Sequence, residues 1–373
     1  MINNTKKFKR PNISLYINIP KEYSNFINKK NFFLKKNKYL TAIIKDFKKN
    51  FFLLFCRPIF SLFISLKTTF LIPFQEIKYL IKNFKNFFSK KNIEITIEIF
   101  PQKINYQNLI KYFKIGINRI SLNIKTFNKK ILKKFKWSNF SKKSLNILFK
   151  KKIIKNFNID LQYGIPTQTL KNVIKDLKKT LKYNPTHITW TLYSNSFSKN
   201  KNLNFKIPTP SEISKMSLIG HKILTKYGYK KYEISSYAKP KYQCQHNLNY
   251  WTFQDYLGLG CKSHSKITIY KFKILRLIKH EKILNYIQKL YLLKFYYIKK
   301  NDIVFEFFLN ISFLFKKISY LHFKNITHHS ILSIKKKLKK SQKKGFLIFT
   351  KKNIIITSFG YKNLFYFLDF FLN

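Results

Sequence analysis

The chain has 373 residues, 45% of them hydrophobic and 18% aromatic, which is enough to build a sizeable core and excludes a disordered, collagen-like or disulfide-framework protein. Lysine and arginine total 75 against 14 acidic residues, a net charge of +61, and only Arg10, Arg57, Arg119 and Arg276 are arginine. Such charge is expected of nucleic-acid or membrane binders, but the lysines are spread along the whole chain and arginine is nearly absent, so drift toward A/T-rich codons explains it better and no specific nucleic acid is expected.

The N-terminus is basic, and no apolar run follows it directly, so no signal peptide is expected. Six β-branched or aromatic runs then read as strands: Ser14–Ile19, Ile59–Ile64, Ile93–Ile99, Arg119–Ile124, Phe157–Gln162 and His187–Leu192. Lysine-rich helical patterns lie between them, at Lys38–Lys49, Phe74–Phe88, Tyr106–Phe113, Ser141–Lys151, Thr169–Tyr183 and Pro210–Tyr227. Pro210-Ser211-Glu212 is a good helix start. The apolar stretch Phe51–Phe74 is broken by Arg57, Pro58 and Lys67 and makes a poor membrane span. Six strand–helix alternations predict a parallel α/β architecture, an open sheet or a partial barrel, with ligands at the C-terminal strand ends.

After Tyr227 the texture changes. Residues Tyr232–Ser265 are rich in Tyr, His, Cys and Gly and show no helical period. Helical patterns follow at Glu281–Phe295, Asp302–Phe315 and Ser330–Lys343, then a hairpin at Phe346–Phe349 and Asn353–Thr357 and a last helix from Tyr361, a winged-helix-like or simply α+β arrangement.

The acids are scarce, so their positions matter. Glu98 and Asp160 fall near the ligand-binding edge of the sheet, as contacts for a cofactor's amine or ribose or as partners for lysines. Cys244, His246, Cys261 and His264 offer zinc ligands, in a spacing unusual for a structural site. Other readings of the same stretch are His246 as an axial haem ligand walled by Tyr250 and Trp251, or a histidine satisfied within a polar loop. Cys56 stands apart from these, and an odd count of three cysteines argues against a secreted product. Gly258 and Gly260 suggest a tight backbone path.

The segment YEISSYAKPKYQCQHNLNYW (Tyr232–Trp251) resembles the bacterial HemW haem chaperones, radical-SAM relatives of oxygen-independent coproporphyrinogen III oxidase. The likeness extends over nearly the whole chain, through SLYINIP, RPI at Arg57, EITIE, GINRISL, NIDLQYGIP, NPTHITW, GLGCKSH and FEFFLN. It implies a partial (β/α)6 radical-SAM-type barrel over residues 1–240, a haem-binding segment over 241–268, and a C-terminal helical, winged-helix-like domain over 269–373. It implies haem binding through His246, Asn247, Tyr250 and Trp251, and delivery of haem to apo-haemoproteins, with contact to a membrane surface, while the expected lack of a signal peptide and of a membrane span reads as cytoplasmic. Of the family's S-adenosylmethionine (SAM) positions, Tyr16, Thr68, Glu98 and Asp160 are kept, while Ser65, Leu66 and Lys67 replace glycines, Lys125 replaces a glutamine and Trp137 an arginine. The three cysteines that bind a [4Fe-4S] cluster in the family are Glu22, Phe26 and Lys29 here. A carboxylate, a phenyl ring and an ammonium do not replace three thiolates, so no cluster and weak or absent SAM binding are expected. A haem chaperone without catalysis is the leading expectation. A radical-SAM oxidoreductase related to coproporphyrinogen III dehydrogenase, or an inactive relic, are the alternatives.

Overall fold

A computed structural model describes residues 10–23, 32–67, 72–89, 93–100, 106–137, 155–194, 206–269 and 273–372. Six parallel strands run in chain order: β1 (Ile13–Ile19), β2 (Ile59–Leu66), β3 (Glu94–Ile99), β4 (Arg119–Lys125), β5 (Phe157–Tyr163) and β6 (His187–Leu192). They coincide with the six runs expected from the sequence. Between and after them come α1 (Phe32–Asn50), α2 (Phe74–Phe84), α3 (Tyr106–Lys114), α4 (Lys129–Lys134), α5 (Leu170–Lys182) and α6 (Pro210–Lys226). The helix expected at Ser141–Lys151 lies outside the described residues. Thr169 and Thr209 close capping boxes with Asn172 and Glu212, which fixes where α5 and α6 begin.

The strands alternate with period two. Leu15, Ile17, Ile64, Ile95, Ile97, Ile120, Leu122, Ile159 and Ile188 point outward and are buried in the main core cluster. The opposite face is polar: Ser14, Tyr16 and Asn18 on β1, Ser61 and Ser65 on β2, Glu94 and Glu98 on β3, Arg119 and Ser121 on β4, Asn158 and Asp160 on β5, and His187 and Thr189 on β6. One cavity of about 300 Å³ touches Phe63 of β2 and Thr191 of β6. Four flat strand steps would span about 19 Å, so the sheet curls around a polar lumen.

The sheet then grows at both edges. At one edge β7 (Lys230–Lys231) and β8 (Ser236–Ala238) add beyond β6. Next in the chain come α7 (Gln245–Trp251), β9 (Asp255–Leu259), β10 (His264–Thr268), β11 (Ile274–Lys279), α8 (Ile283–Ile287) and β12 (Leu292–Tyr297). β9 pairs parallel with β1, and β10, β11 and β12 follow antiparallel, so the strands through Tyr297 share one sheet with those before residue 240. The helix expected over Glu281–Phe295 is therefore corrected to the five-residue α8 and a strand. Non-local pairing with β11 outweighs a weak local helical period. Buried ion pairs tie this extension down: Asp255 meets Arg57 at 2.7 Å and Lys266 at 3.1 Å, and Asp46 of α1 meets Lys279 at 2.6 Å.

The remaining chain carries α9 (Asp302–Ile311), β13 (Ile318–Ser319), α10 (Tyr320–Thr327), α11 (Lys335–Lys343), β14 (Leu347–Phe349), β15 (Asn353–Ile356), α12 (Ser358–Lys362) and α13 (Leu364–Asp369). The expected hairpin is β14–β15, joined by β13 in a three-stranded sheet around a second core cluster that includes Phe307, Phe308 and Phe367. No helix of the described residues is long and apolar enough to cross a membrane.

Candidate functional site

The segment that looked like an irregular loop is partly helical. Residues Gln245–Trp251 form α7, and the spacing of four puts His246 and Tyr250 on one side of it. Seven residues cannot hold a helix by themselves, so the tertiary structure holds it. Cys244 at the N-cap provides no side-chain cap. The Glu94 carboxylate of β3 does so instead, accepting from Gln245 N (3.0 Å), His246 N (3.1 Å) and the Cys244 thiol (3.4 Å). A negative group at a helix N-terminus is favourable. Behind it, His187 bonds Asn158 at 2.7 Å and Tyr232 at 2.8 Å, and Tyr232 Oη accepts from Cys244 N at 3.3 Å.

His246 is thereby set against the strand floor. Its Nδ1 lies 3.0 Å from Ser61 Oγ, and Ser61 donates to Ser14 Oγ at 2.7 Å. Its ring sits 5.2 Å from the Phe63 ring and 6.3 Å from that of Tyr16. Burial, then the Arg119 charge, hold the imidazole down to a pKa of about 3, so it is neutral at ordinary pH. Nε2 has no hydrogen-bond partner among the described residues.

His246, Asn247, Tyr250 and Trp251 all line one cavity of about 620 Å³. Tyr16, Phe63, Tyr256 and Tyr296 add aromatic walls. Tyr250 packs on Tyr256 at 5.2 Å, and Trp251 on Phe313 at 4.8 Å. The cavity is nearly neutral in a highly basic chain. Its acids are Glu306, paired with Arg276, and Glu233, whose carboxyl is pushed up by burial. A cavity of this size and lining suits a largely apolar ligand with a few polar groups.

The other expected residues lie in or beside the neighbouring lumen. Glu98 and Asp160 line the 300 Å³ cavity, which shares Phe63, Ser235 and Asn247 with the larger one. Ser65 donates to Glu98 (2.6 Å) and Ser121 to Asp160 (2.9 Å). Burial, then the Asp160 charge, push the Glu98 carboxyl up. Burial raises Tyr16 to about 12. Lys125 also lines the lumen, with its ammonium 4.2 Å over the Trp137 ring. Thr68, Phe26 and Lys29 lie outside the described residues. Glu22 is exposed and pairs with Lys262 at 2.9 Å.

The cysteine–histidine set does not assemble. No group of three or more metal-ligating residues occurs among the described residues. Cys244 faces Glu94, whereas Asn18 bonds the Cys261 carbonyl and Tyr39 Oη accepts from its amide. Burial pushes the two thiols up to about 12 and about 11. Gly260, at φ +91°, does follow a tight path, because an added Cβ would lie 2.3 Å from Asn18 O.

Sequence reasoning assigned no role to Ser61, Glu94, Tyr256 and Arg276. Ser61, Glu94 and Arg276 sit on strands distant from α7 in the chain, Tyr256 follows it on β9, and nothing local marks any of them.

No family model matches the chain. It is 41% identical to the heme chaperone HemW of Buchnera aphidicola subsp. Acyrthosiphon pisum, over 91% of this chain and 93% of that one. It is 32% identical to the heme chaperone HemW of Haemophilus influenzae, over 98% and 99%. Among solved structures, coproporphyrinogen III oxidase (HemN) of Escherichia coli, a radical SAM enzyme, superposes with a TM-score of 0.77, covering 97% of this chain and 90% of that one. At 19% identity that likeness speaks for the fold alone.

Proposed function

The chain belongs to the HemW family, and from that membership we propose that it is a haem carrier, holding haem in the 620 Å³ cavity and passing it to apo-haemoprotein acceptors. The observation that carries this reading is His246: a neutral imidazole on the wall of an aromatic cavity, with one nitrogen engaged and the other without a partner among the described residues. Ser61 gives its proton to Ser14 and so accepts from His246 Nδ1–H. Nε2 then keeps the lone pair that haem iron takes as axial ligand. Tyr250, Trp251 and Phe63 cover the macrocycle's faces, and Asn247 offers an amide at the passage to the lumen. An open, aromatic cavity whose lining offers iron only imidazoles, His246 and also His264, suits a carrier that must release its cargo. We place this carrier in the cytoplasm, acting as a binding protein and not as a catalyst.

The family's resident groups fit these residues poorly. Glu22, Phe26 and Lys29 cannot ligate three irons of a [4Fe-4S] cluster. SAM is a sulfonium cation, and Lys125, with Lys21 acting on it, puts like charge at the lumen where it would lie. Tyr16, Glu98 and Asp160 remain, yet Ser65 and Ser121 already engage the two carboxyls.

The test is a haem titration of the purified protein by absorption, beside His246→Ala. The expected result is a shifted Soret band saturating near one haem per chain, weakened at least about tenfold in the variant. Equal binding by the variant, or none by the wild type, would sink the reading.

A further inference from the structure

The four arginines are all placed with care in a chain whose other basic residues are lysine. Arg57 pairs with buried Asp255, Arg119 is 2% exposed in the lumen, and Arg10 lies over the Phe55 ring at 4.0 Å. Arg57 uses its planar fork fully, donating to Leu54 O, Pro11 O, Leu53 O and the Asp255 carboxylate.

Arg276 is the fourth. Among the described residues it is the one lysine or arginine that lines the 620 Å³ cavity. Its fork is locked on two sides: Nη1 donates to Tyr256 Oη at 2.9 Å and Nη2 to the Glu306 carboxylate. A guanidinium has five N–H donors, so donors remain for a further acceptor. Glu233, the other carboxyl on the cavity wall, is held by Ser235 at 3.0 Å and does not pair with Arg276.

The register places Arg276 opposite the imidazole. Ser61, Ser14, Tyr256, Lys266 and Arg276 are successive partners on β2, β1, β9, β10 and β11. His246 is bonded to Ser61 at one end of this row, and Arg276 is the other end, four strand steps or about 19 Å of backbone away. Lys266, between them, turns its ammonium to Phe253 O and Asp255, out of the cavity. The slot thus has a metal-binding base at one end and a carboxylate-binding fork at the other.

We infer that Arg276 receives a propionate carboxylate of the haem, fixing which edge of the macrocycle points away from His246. The inference rests on the haem reading above. A bidentate or shared guanidinium–carboxylate contact is strong and geometrically specific, and Lys at this position would supply charge without the fork.

The experiment compares haem with haem dimethyl ester, whose carboxylates are neutral, at high salt to suppress binding by surface lysines. Wild type is expected to prefer haem about tenfold or more. Arg276→Gln and Arg276→Lys are expected to lose most of that preference, binding haem about tenfold more weakly and the ester as wild type does. Glu306→Gln keeps Arg276 and removes its competing carboxylate, so haem should bind more tightly with the ester unchanged. Should Arg276→Gln fail to fold, this variant carries the test. Equal loss of both ligands in Arg276→Gln would mean a merely structural role and overturn the inference, as would no preference in wild type. A wild type that binds neither ligand fails the haem reading itself. One that binds both equally, with the Soret shift still dependent on His246, fails only the Arg276 inference.

Discussion

Replacing Glu94 by glutamine tests how α7 is held. Glutamine is nearly isosteric but keeps one acceptor oxygen, so of the Gln245 and His246 amides one loses its partner. An orphaned buried donor costs about 1–3 kcal/mol. The lost charge also acts on Arg119, which is fully buried in the lumen and sustained by Glu94 and Asp160. Breaking a directly paired buried ion costs about 3–5 kcal/mol. No ion pair joins Arg119 to Glu94 directly, so a total near 3 kcal/mol is expected. Arg119→Met in the same chain removes the stranded cation. The double variant should therefore be less destabilised than the two singles together, by at least about 1 kcal/mol. Urea unfolding at constant slope reads these values. Haem titration reads the consequence at the site, because a loosened α7 no longer holds His246 against Ser61. Affinity should fall roughly tenfold. Glu94→Gln within about 0.5 kcal/mol of wild type, with an unchanged haem spectrum, would refute the reasoning.

Three further outcomes follow from the buried ionisable groups. Asp46→Asn leaves Lys279 without its carboxylate and weakens the bond from Tyr286, so it should destabilise by about 3–5 kcal/mol; a loss under 1 kcal/mol in the same urea assay would contradict this. His246 and His187 are both held below their ordinary value of 6.5, the first at about 3, chiefly by burial. The unfolded chain therefore takes up protons that the folded one refuses. The His246 contribution to stability is full above about pH 6.5 and is lost as pH falls toward about 3, and His187 acts in the same sense. Asp176, raised to about 6 by burial, acts in the opposite sense and is strongest in acid. Haem affinity, by contrast, should stay flat from about pH 7 to about pH 5, because the imidazole remains neutral; a midpoint near 6.5 in the titration would show that it does not.

Much of the molecule was legible from local pattern. The six parallel strands carry period-two alternation with β-branched outer faces, and each is long enough for that alternation to decide its state. His246, Asn247, Tyr250 and Trp251 were grouped by the resemblance to the HemW family and not by local pattern, and the structure places them on the short helix α7. The cysteine–histidine set was equally visible, but only His246 and His264 reach one cavity, while Cys244 faces Glu94. β9 runs away from α7 into the sheet and carries Cys261 to the side of Tyr39.

Only the tertiary structure decided how the site is completed. Glu94 caps a helix that begins 151 residues later, Ser61 meets a histidine 185 residues away, and Arg276 joins Glu306 across a helix boundary. β12 is a strand for the same reason, since its partner β11, not its own periodicity, supplies the hydrogen bonds. A seven-residue helix and an edge strand are too short to be stable by local propensity. Their conformation, and with it the cavity, is set by long-range contacts that exist only once the sheet has curled.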